Sequence, residues 1–269
     1  MGLPSFEQVF PSDPAHELHL VFARDHDTSP RAGHRNPEVV VTSTATTRNV
    51  PLLRPLVALP GVYRPQADTH LLADALSKEN LHPAAEVLEI GTGTGALALS
   101  AAGRGARVTA VDVSWRAVVT ARINALQQGV PLQILHGDFA ARTRGHRYDI
   151  VLANPPYVPS PNHRLPAAGP ARAWDAGPDG RLVVDRICTS APALLRPGGV
   201  LLMVHSAMCG PERTLKRLAE AGLPAQVAAR SCVPWGPILR SRRDWLQRQG
   251  LAGTGEEREE LVVIRAQAL

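Results

Sequence analysis

The feature that most constrains the fold of this chain is a strand that runs straight into a cluster of glycines and out again into a helix. Residues 86–90 (Glu-Val-Leu-Glu-Ile) form a short extended run, Gly91-Thr92-Gly93-Thr94-Gly95 follows at once, and 96–102 are small and apolar. Glycine has no Cβ, so alternating glycines let the backbone turn tightly and approach a ligand closely. A strand, turn and helix in this order open a doubly wound α/β sheet, in which ligands bind at the carboxyl ends of the strands.

The rest of the chain repeats that alternation. Strands are predicted over 107–113, 132–135, 149–153 and 200–205, and helices over 69–77, 115–128, 181–195 and 211–221. Asp68 or Thr69 is available to cap the first helix, and Pro197-Gly198-Gly199 reads as a turn. Two further strands, 225–233 and 260–266, have no full helix between them and so predict an antiparallel hairpin at one edge. The expected fold class is α/β: a Rossmann-like, doubly wound, mostly parallel seven-stranded sheet with an antiparallel edge hairpin, spanning 53–269. Residues 1–52 carry scattered prolines, histidines and charges without a sustained period, and are expected to be a partly disordered N-terminal extension.

Composition enters here as a filter. Hydrophobic residues at 44% and charged residues at 20% fit an ordinary globular protein. No window approaches the roughly 20 apolar residues of a membrane span, and the opening segment lacks a secretory layout, so a cytoplasmic location and no membrane partner are expected. Cys188, Cys209 and Cys232 show no metal or disulfide spacing, and the histidines are scattered, so no metal site is expected. The net charge of +5 is compatible with a nucleic-acid or ribosomal partner. It is equally compatible with plain arginine usage, since Lys78 and Lys216 are the only lysines.

Acidic residues recur at the predicted strand ends. Glu89 lies within the glycine motif, Asp112 ends the second strand, and Asp138 with Phe139 follows the third. A carboxylate such as that of Asp112 can accept both hydroxyls of a ribose, while Asp138 and Phe139 can hold an adenine. The spacing is G-x-G-x-G, not the dinucleotide G-x-G-x-x-G, and no phosphate-binding lysine follows. The set suits an uncharged nucleoside with a cationic sulfonium, S-adenosylmethionine, better than a pyrophosphate. The candidate cofactor residues are Glu89, Gly91, Thr92, Gly93, Gly95, Asp112, Val113, Asp138, Phe139 and Asn154.

The fourth strand ends at Asn154-Pro155-Pro156-Tyr157. Two prolines fix φ and remove two donors, leaving a stiff segment that presents carbonyls. The Asn154 side-chain oxygen and the Pro155 carbonyl can accept both hydrogens of a planar NH2 group, with Tyr157 stacked on it. Such a nitrogen is a poor nucleophile, so orientation and electrostatics, not a strong base, are expected to carry the reaction. Asn154, Pro155, Pro156 and Tyr157 are the candidate catalytic residues.

Four segments together resemble the HemK/PrmC family of protein glutamine methyltransferases, in its short branch. They are Gly61-Val62-Tyr63-Arg64-Pro65-Gln66-Ala67-Asp68-Thr69, the LEIGTGTG run from Leu88, Asn154 to Val158, and Trp174-Asp175-Ala176-Gly177-Pro178-Asp179-Gly180-Arg181. The resemblance covers about 59–269. It implies that the acceptor is the glutamine of the Gly-Gly-Gln loop in peptide-chain release factors, clasped by Asn154, Pro155 and Tyr157. It further implies a lid formed by Pro65, Asp68 and Thr69, with Trp174 at the substrate rim. Longer bacterial members carry a helical N-terminal domain unlike residues 1–52, and short-branch members often depend on a small zinc-binding activating subunit.

Other readings stay open at this stage. The same NPPY segment serves adenine-N6 methyltransferases acting on nucleic acid, or a small-molecule N-methyltransferase; an idle cofactor-binding partner is a further class. The stretch Arg240-Ser241-Arg242-Arg243-Asp244-Trp245 is either a nucleic-acid patch or a solvated helix with Trp245 packed inward.

Overall fold

The computed structural model describes residues 55–269, so the expected extension over 1–52 lies outside the described residues. Seven strands form one sheet: β1 (Glu86–Ile90), β2 (Arg107–Asp112), β3 (Gln133–His136), β4 (Tyr148–Ala153), β5 (Leu195–Ser206), β6 (Ala225–Pro234) and β7 (Arg258–Gln267). Their order across the sheet is β3-β2-β1-β4-β5-β7-β6. Strands β1 to β5 pair in parallel, while β7 runs antiparallel between β5 and β6. The order reverses at the β1–β4 boundary, which is where ligands of this architecture bind.

Both faces are covered, which explains why the central strands read as continuous apolar runs. Val87, Ile150 and Leu152 pack with α1 (Ala67–Ser77), α2 (Ala96–Gly103) and α3 (Trp115–Gln128). The alternate residues Leu88, Val151 and Ala153 pack on the other face with α5 (Leu182–Leu194) and α6 (Pro211–Glu220). Strand β4 stops at Ala153 because the prolines that follow cannot donate to the ladder.

The sequence expectations need correction at several points. The N-cap of α1 is Gln66, so Asp68 and Thr69 sit in its first turn, where both are buried. A short helix, α4 (Phe139–Arg142), follows Asp138 and was not expected. The Pro-Gly-Gly turn lies within the span of β5, where the pairing with β4 slips between Tyr148 and Ile150. The closing pair is antiparallel as expected, but its connection holds two short helices, α7 (Pro237–Ser241) and α8 (Arg243–Arg248). Among the described residues no helix is long and apolar enough to cross a membrane.

Candidate active site

A cavity of about 140 Å³ opens at the carboxyl ends of β1, β2 and β4. A lone water needs roughly 10–15 Å³ by the same kind of measure, so this space takes a ligand of many atoms. One wall is the glycine turn with Glu89, Asp112 and Val113; the opposite wall is Asn154 to Val158. Gly61, Val62, Tyr63, Pro65, Asp68 and Thr69 close one side, and Gly169 with Arg172 to Trp174 closes the other.

The glycine turn is held open by its own backbone. Gly91, Gly93 and Gly95 have φ of 74°, 56° and 84°, which side chains rarely adopt. The amides of Gly91 and Thr92 donate to the Val111 carbonyl at 2.8 and 3.2 Å. A Cβ on Gly91 would lie 3.7 Å from the Asn154 carbonyl oxygen, and one on Gly93 3.6 Å from that of Tyr63. The turn therefore brings the two walls to contact distance. Gly95 is not part of the lining; it caps the start of α2, where a Cβ would stand 3.3 Å from that of Ala121.

Two carboxyls face the cavity from this wall. Asp112 accepts the Gly93 amide on Oδ2 (3.0 Å) and the Ser114 amide on Oδ1 (2.8 Å), leaving one lone pair on each oxygen for a ligand. Burial pushes its pKa up, opposed by those two amide bonds and by the charges of Arg172 and His136. Glu89 is 2% exposed and accepts the Thr92 hydroxyl and the Ala98 amide on Oε2. Burial raises its pKa to about 8 against both hydrogen bonds. A cationic ligand group beside it would restore the charge.

On the opposite wall the Asn154 amide nitrogen donates to Thr69 Oγ1 at 3.4 Å. That contact leaves its oxygen as the acceptor available to a ligand. Tyr157 is 8% exposed and donates to Asp68 Oδ2 at 3.1 Å, as Tyr63 does at 2.9 Å. Asp68 Oδ1 takes the Thr69 amide at 2.6 Å. Burial, then the Asp68 charge, raises both phenol pKa values far above the ordinary range, so the hydroxyls stay protonated donors. Behind this wall a Cβ on Gly180 would stand 2.2 Å from the Tyr157 carbonyl oxygen, and Cys209 Sγ donates to the same oxygen at 3.3 Å.

Of the residues singled out from sequence, Pro65, Asp68, Thr69, Glu89, Gly91, Thr92, Gly93, Asp112, Val113, Asn154, Pro155, Pro156, Tyr157 and Trp174 line the cavity. Asp138 and Phe139 do not. Asp138 caps α4 and pairs with Arg186 at 2.6 Å, while Phe139 is buried in the core beneath that arginine. Sequence reasoning gave Tyr63 and Arg172 no role. Tyr63 lies in the Gly61–Thr69 segment, but nothing local signals that its hydroxyl meets Asp68. Arg172 reaches the cavity only through the fold of the long β4–α5 loop, in the 3₁₀ turn Pro170–Ala173. Among the described residues no group of three His, Cys, Asp or Glu side chains is placed to hold a metal ion.

The family model of the methyltransferase small domain matches residues 55–168. A putative protein N5-glutamine methyltransferase of Methanocaldococcus jannaschii is 32% identical over 185 residues, covering 67% of this chain and 90% of that protein. The release factor glutamine methyltransferase of Moorella thermoacetica is 40% identical over 172 residues, and the match spans only 60% of its length. The E. cuniculi Mtq2–Trm112 complex, solved as responsible for methylation of the eRF1 termination factor, contains a chain with the same fold. It superposes with a TM-score of 0.54 at 22% identity, covering 78% of this chain and 99% of that one. The chain belongs to the HemK/PrmC family of N5-glutamine methyltransferases.

Proposed function

We propose that this protein uses S-adenosylmethionine to methylate the side-chain amide nitrogen of a glutamine in a protein, that of the Gly-Gly-Gln loop of a peptide-chain release factor. The observation that carries the reading is that the glycine turn with Asp112 and the Asn154–Tyr157 segment line one and the same cavity. The relatives' names support it: one names a protein glutamine as acceptor and the other a release-factor glutamine.

The residues fit the cofactor chemically. Asp112 has lone pairs left for two ribose hydroxyls, the turn glycines leave room for the amino-acid end, and Glu89 supplies a carboxyl where cationic groups would lie. When bound, the cofactor supplies a methyl on cationic sulfur. Asn154 Oδ1 and the Pro155 carbonyl accept the two amide hydrogens of the acceptor glutamine and fix the direction of its lone pair. Thr69 holds Asn154, and Asp68 holds the Tyr157 ring against the flat amide. The nitrogen gains a methyl and releases one proton to solvent, so no buried base is required. Orientation is the main source of rate.

The test is transfer of labelled methyl from S-adenosylmethionine to purified release factor, beside a variant with the Gly-Gly-Gln glutamine replaced. The reading predicts label on the first and none on the second. A second arm adds a zinc-binding activating subunit, which the short branch often needs. Equal labelling of both factors, or label on adenine of added nucleic acid only, would overturn it.

A further inference from the structure

The cavity is acidic and short of donors. Asp68, Glu89 and Asp112 line it, and among its described lining residues Arg172 is the only cation. Several polar hydrogens on the lining are already spent. The hydroxyls of Tyr63, Thr69 and Tyr157 donate to Asp68, and that of Thr92 donates to Glu89. The amides of Gly91 and Thr92 go to the Val111 carbonyl, and that of Gly93 goes to Asp112. A ribose that gives its hydroxyl hydrogens to Asp112 still carries lone pairs on both oxygens, and these need a donor.

The meeting of two loops sets the place of Arg172. Arg116, in the first turn of α3 just past Asp112, donates to the Pro60 carbonyl at 3.1 Å. Gly61 comes next, at φ 83°, and a Cβ there would lie 3.9 Å from Pro170 Cγ and 4.0 Å from the Arg116 guanidinium. Pro170 opens the 3₁₀ turn that carries Arg172. The turn is thus seated beside the start of α3, at the Asp112 end of the cavity. Its far end is fixed as well. The Trp174 carbonyl accepts the Val158 amide at 2.8 Å, and Arg242 clamps Asp175 at 2.6 Å and the Pro159 carbonyl at 2.8 Å.

The half-buried guanidinium keeps most of its donors. It gives one hydrogen bond, to the Ala167 carbonyl at 3.0 Å, and among the described residues no carboxylate forms an ion pair with it. Five N–H groups in a planar fork leave ample capacity for two oxygens. Its charge nonetheless reaches Asp112: burial pushes that carboxyl's pKa up, and the two amide bonds, then Arg172 and His136, oppose the rise. His136 is not on the lining, and its Nε2 meets the Val113 carbonyl at 3.2 Å.

We infer that Arg172 is a cofactor-binding residue that completes the ribose subsite, donating to the hydroxyl oxygens whose hydrogens Asp112 accepts. This rests on the proposed cofactor. Each hydroxyl then donates to a carboxylate and accepts from a guanidinium, so the two side chains together recognise the diol. Arg172 holds the nucleoside and touches neither the methyl nor the acceptor amide.

The test is calorimetric binding of S-adenosylhomocysteine, and of adenosine by competition, to the full chain; neither needs turnover. Arg172→Ala is expected to raise Kd for S-adenosylhomocysteine by about ten-fold or more, as loss of hydrogen bonds to a charged group does. Adenosine should lose affinity by a similar factor, because it carries the same diol. Arg172→Lys should recover part of the loss, since it keeps the charge without the fork. In an Asp112→Ala background, where the diol is no longer held, adding Arg172→Ala should cost less than about three-fold, the mark of two coupled residues. Unchanged Kd in Arg172→Ala would overturn the inference. So would a loss confined to S-adenosylhomocysteine, which would put the guanidinium at the amino-acid end, or the full loss in the Asp112→Ala background. A loss matched by a lower melting temperature of the ligand-free protein, and not recovered by Arg172→Lys, would make the residue structural and overturn it too. If the parent binds neither ligand, the cofactor reading itself fails, and the role of Arg172 with it.

Discussion

The hydroxyl of Tyr157 donates to the carboxylate of Asp68 at 3.1 Å, across 89 residues of sequence. The bond ties the acceptor segment after β4 to the first turn of α1, and the same carboxylate oxygen takes Tyr63 at 2.9 Å. Asp68 is therefore the point from which the acceptor wall is held. In Asp68→Ala, Tyr157 loses its partner. We expect kcat to fall by at least about ten-fold, with cofactor Kd within about three-fold, because the loss is one of orientation. A calorimetric titration beside a turnover assay checks both. A large loss of cofactor affinity with kcat intact would place Asp68 on the wrong side of the site.

The three tyrosines of the chain, Tyr63, Tyr148 and Tyr157, all have raised pKa values, with burial as the first cause in each. The Tyr63 and Tyr157 phenols should therefore give no tyrosinate absorbance step near pH 10 in the native protein. The sign follows from linkage: a folded state that keeps protons the unfolded state gives up loses stability as pH rises through the unfolded value. Their tyrosinate should appear only with alkaline unfolding, seen together in absorbance and circular dichroism. A separate early step that persists in Tyr148→Phe would contradict the Asp68 cluster.

Glu89 gives a second pH window. Its pKa is about 8 in the fold against 4.5 for the free side chain. The folded state holds a proton that the unfolded state has released, so stability is full below about 4.5 and declines as pH rises to about 8. Glu259, raised to about 7 by burial, adds a term of the same sign. In Glu89→Gln the melting temperature should decline less between pH 5 and 8 than in the parent. Cofactor binding at pH 7 should release a proton in the parent but not in the variant, read by calorimetry in two buffers of different ionisation enthalpy.

Asp112 and Asn154 should separate binding from chemistry. Asp112→Ala removes the ribose acceptor and the partner of two turn amides. It is expected to weaken cofactor binding by about ten-fold or more, as loss of charge-assisted hydrogen bonds does. Asn154→Ala should leave affinity nearly unchanged and cut turnover by at least about 100-fold. Reversed effects would mean that the two walls have been assigned the wrong way round.

Much of this was legible in the sequence, for reasons that differ by element. The β1 turn and the stop after Ala153 rest on local chemistry, glycine at positive φ and proline without a donor, and local chemistry is visible in a linear string. The parallel strands were readable because burial on both faces leaves continuous apolar runs. Asp138 and Phe139 misled because an acid after a strand can cap a helix as well as face a ligand, and Arg186, 48 residues on, decides between them. Of the two readings of 240–245, the helix has the packing on its side: Trp245 lies half-buried against the small core of Trp235, Leu239 and Leu246. The Tyr63–Asp68–Tyr157 cluster and the Arg242 clamp depend on contacts between distant segments, which no local pattern encodes.

The most direct measurement is tandem mass spectrometry of release factor after incubation with this protein and deuterated-methyl S-adenosylmethionine, beside the Asn154→Ala variant. The account predicts one labelled methyl on the side-chain nitrogen of the Gly-Gly-Gln glutamine with the parent, and almost none with the variant. A methyl on any other residue, or undiminished labelling by Asn154→Ala, would contradict it.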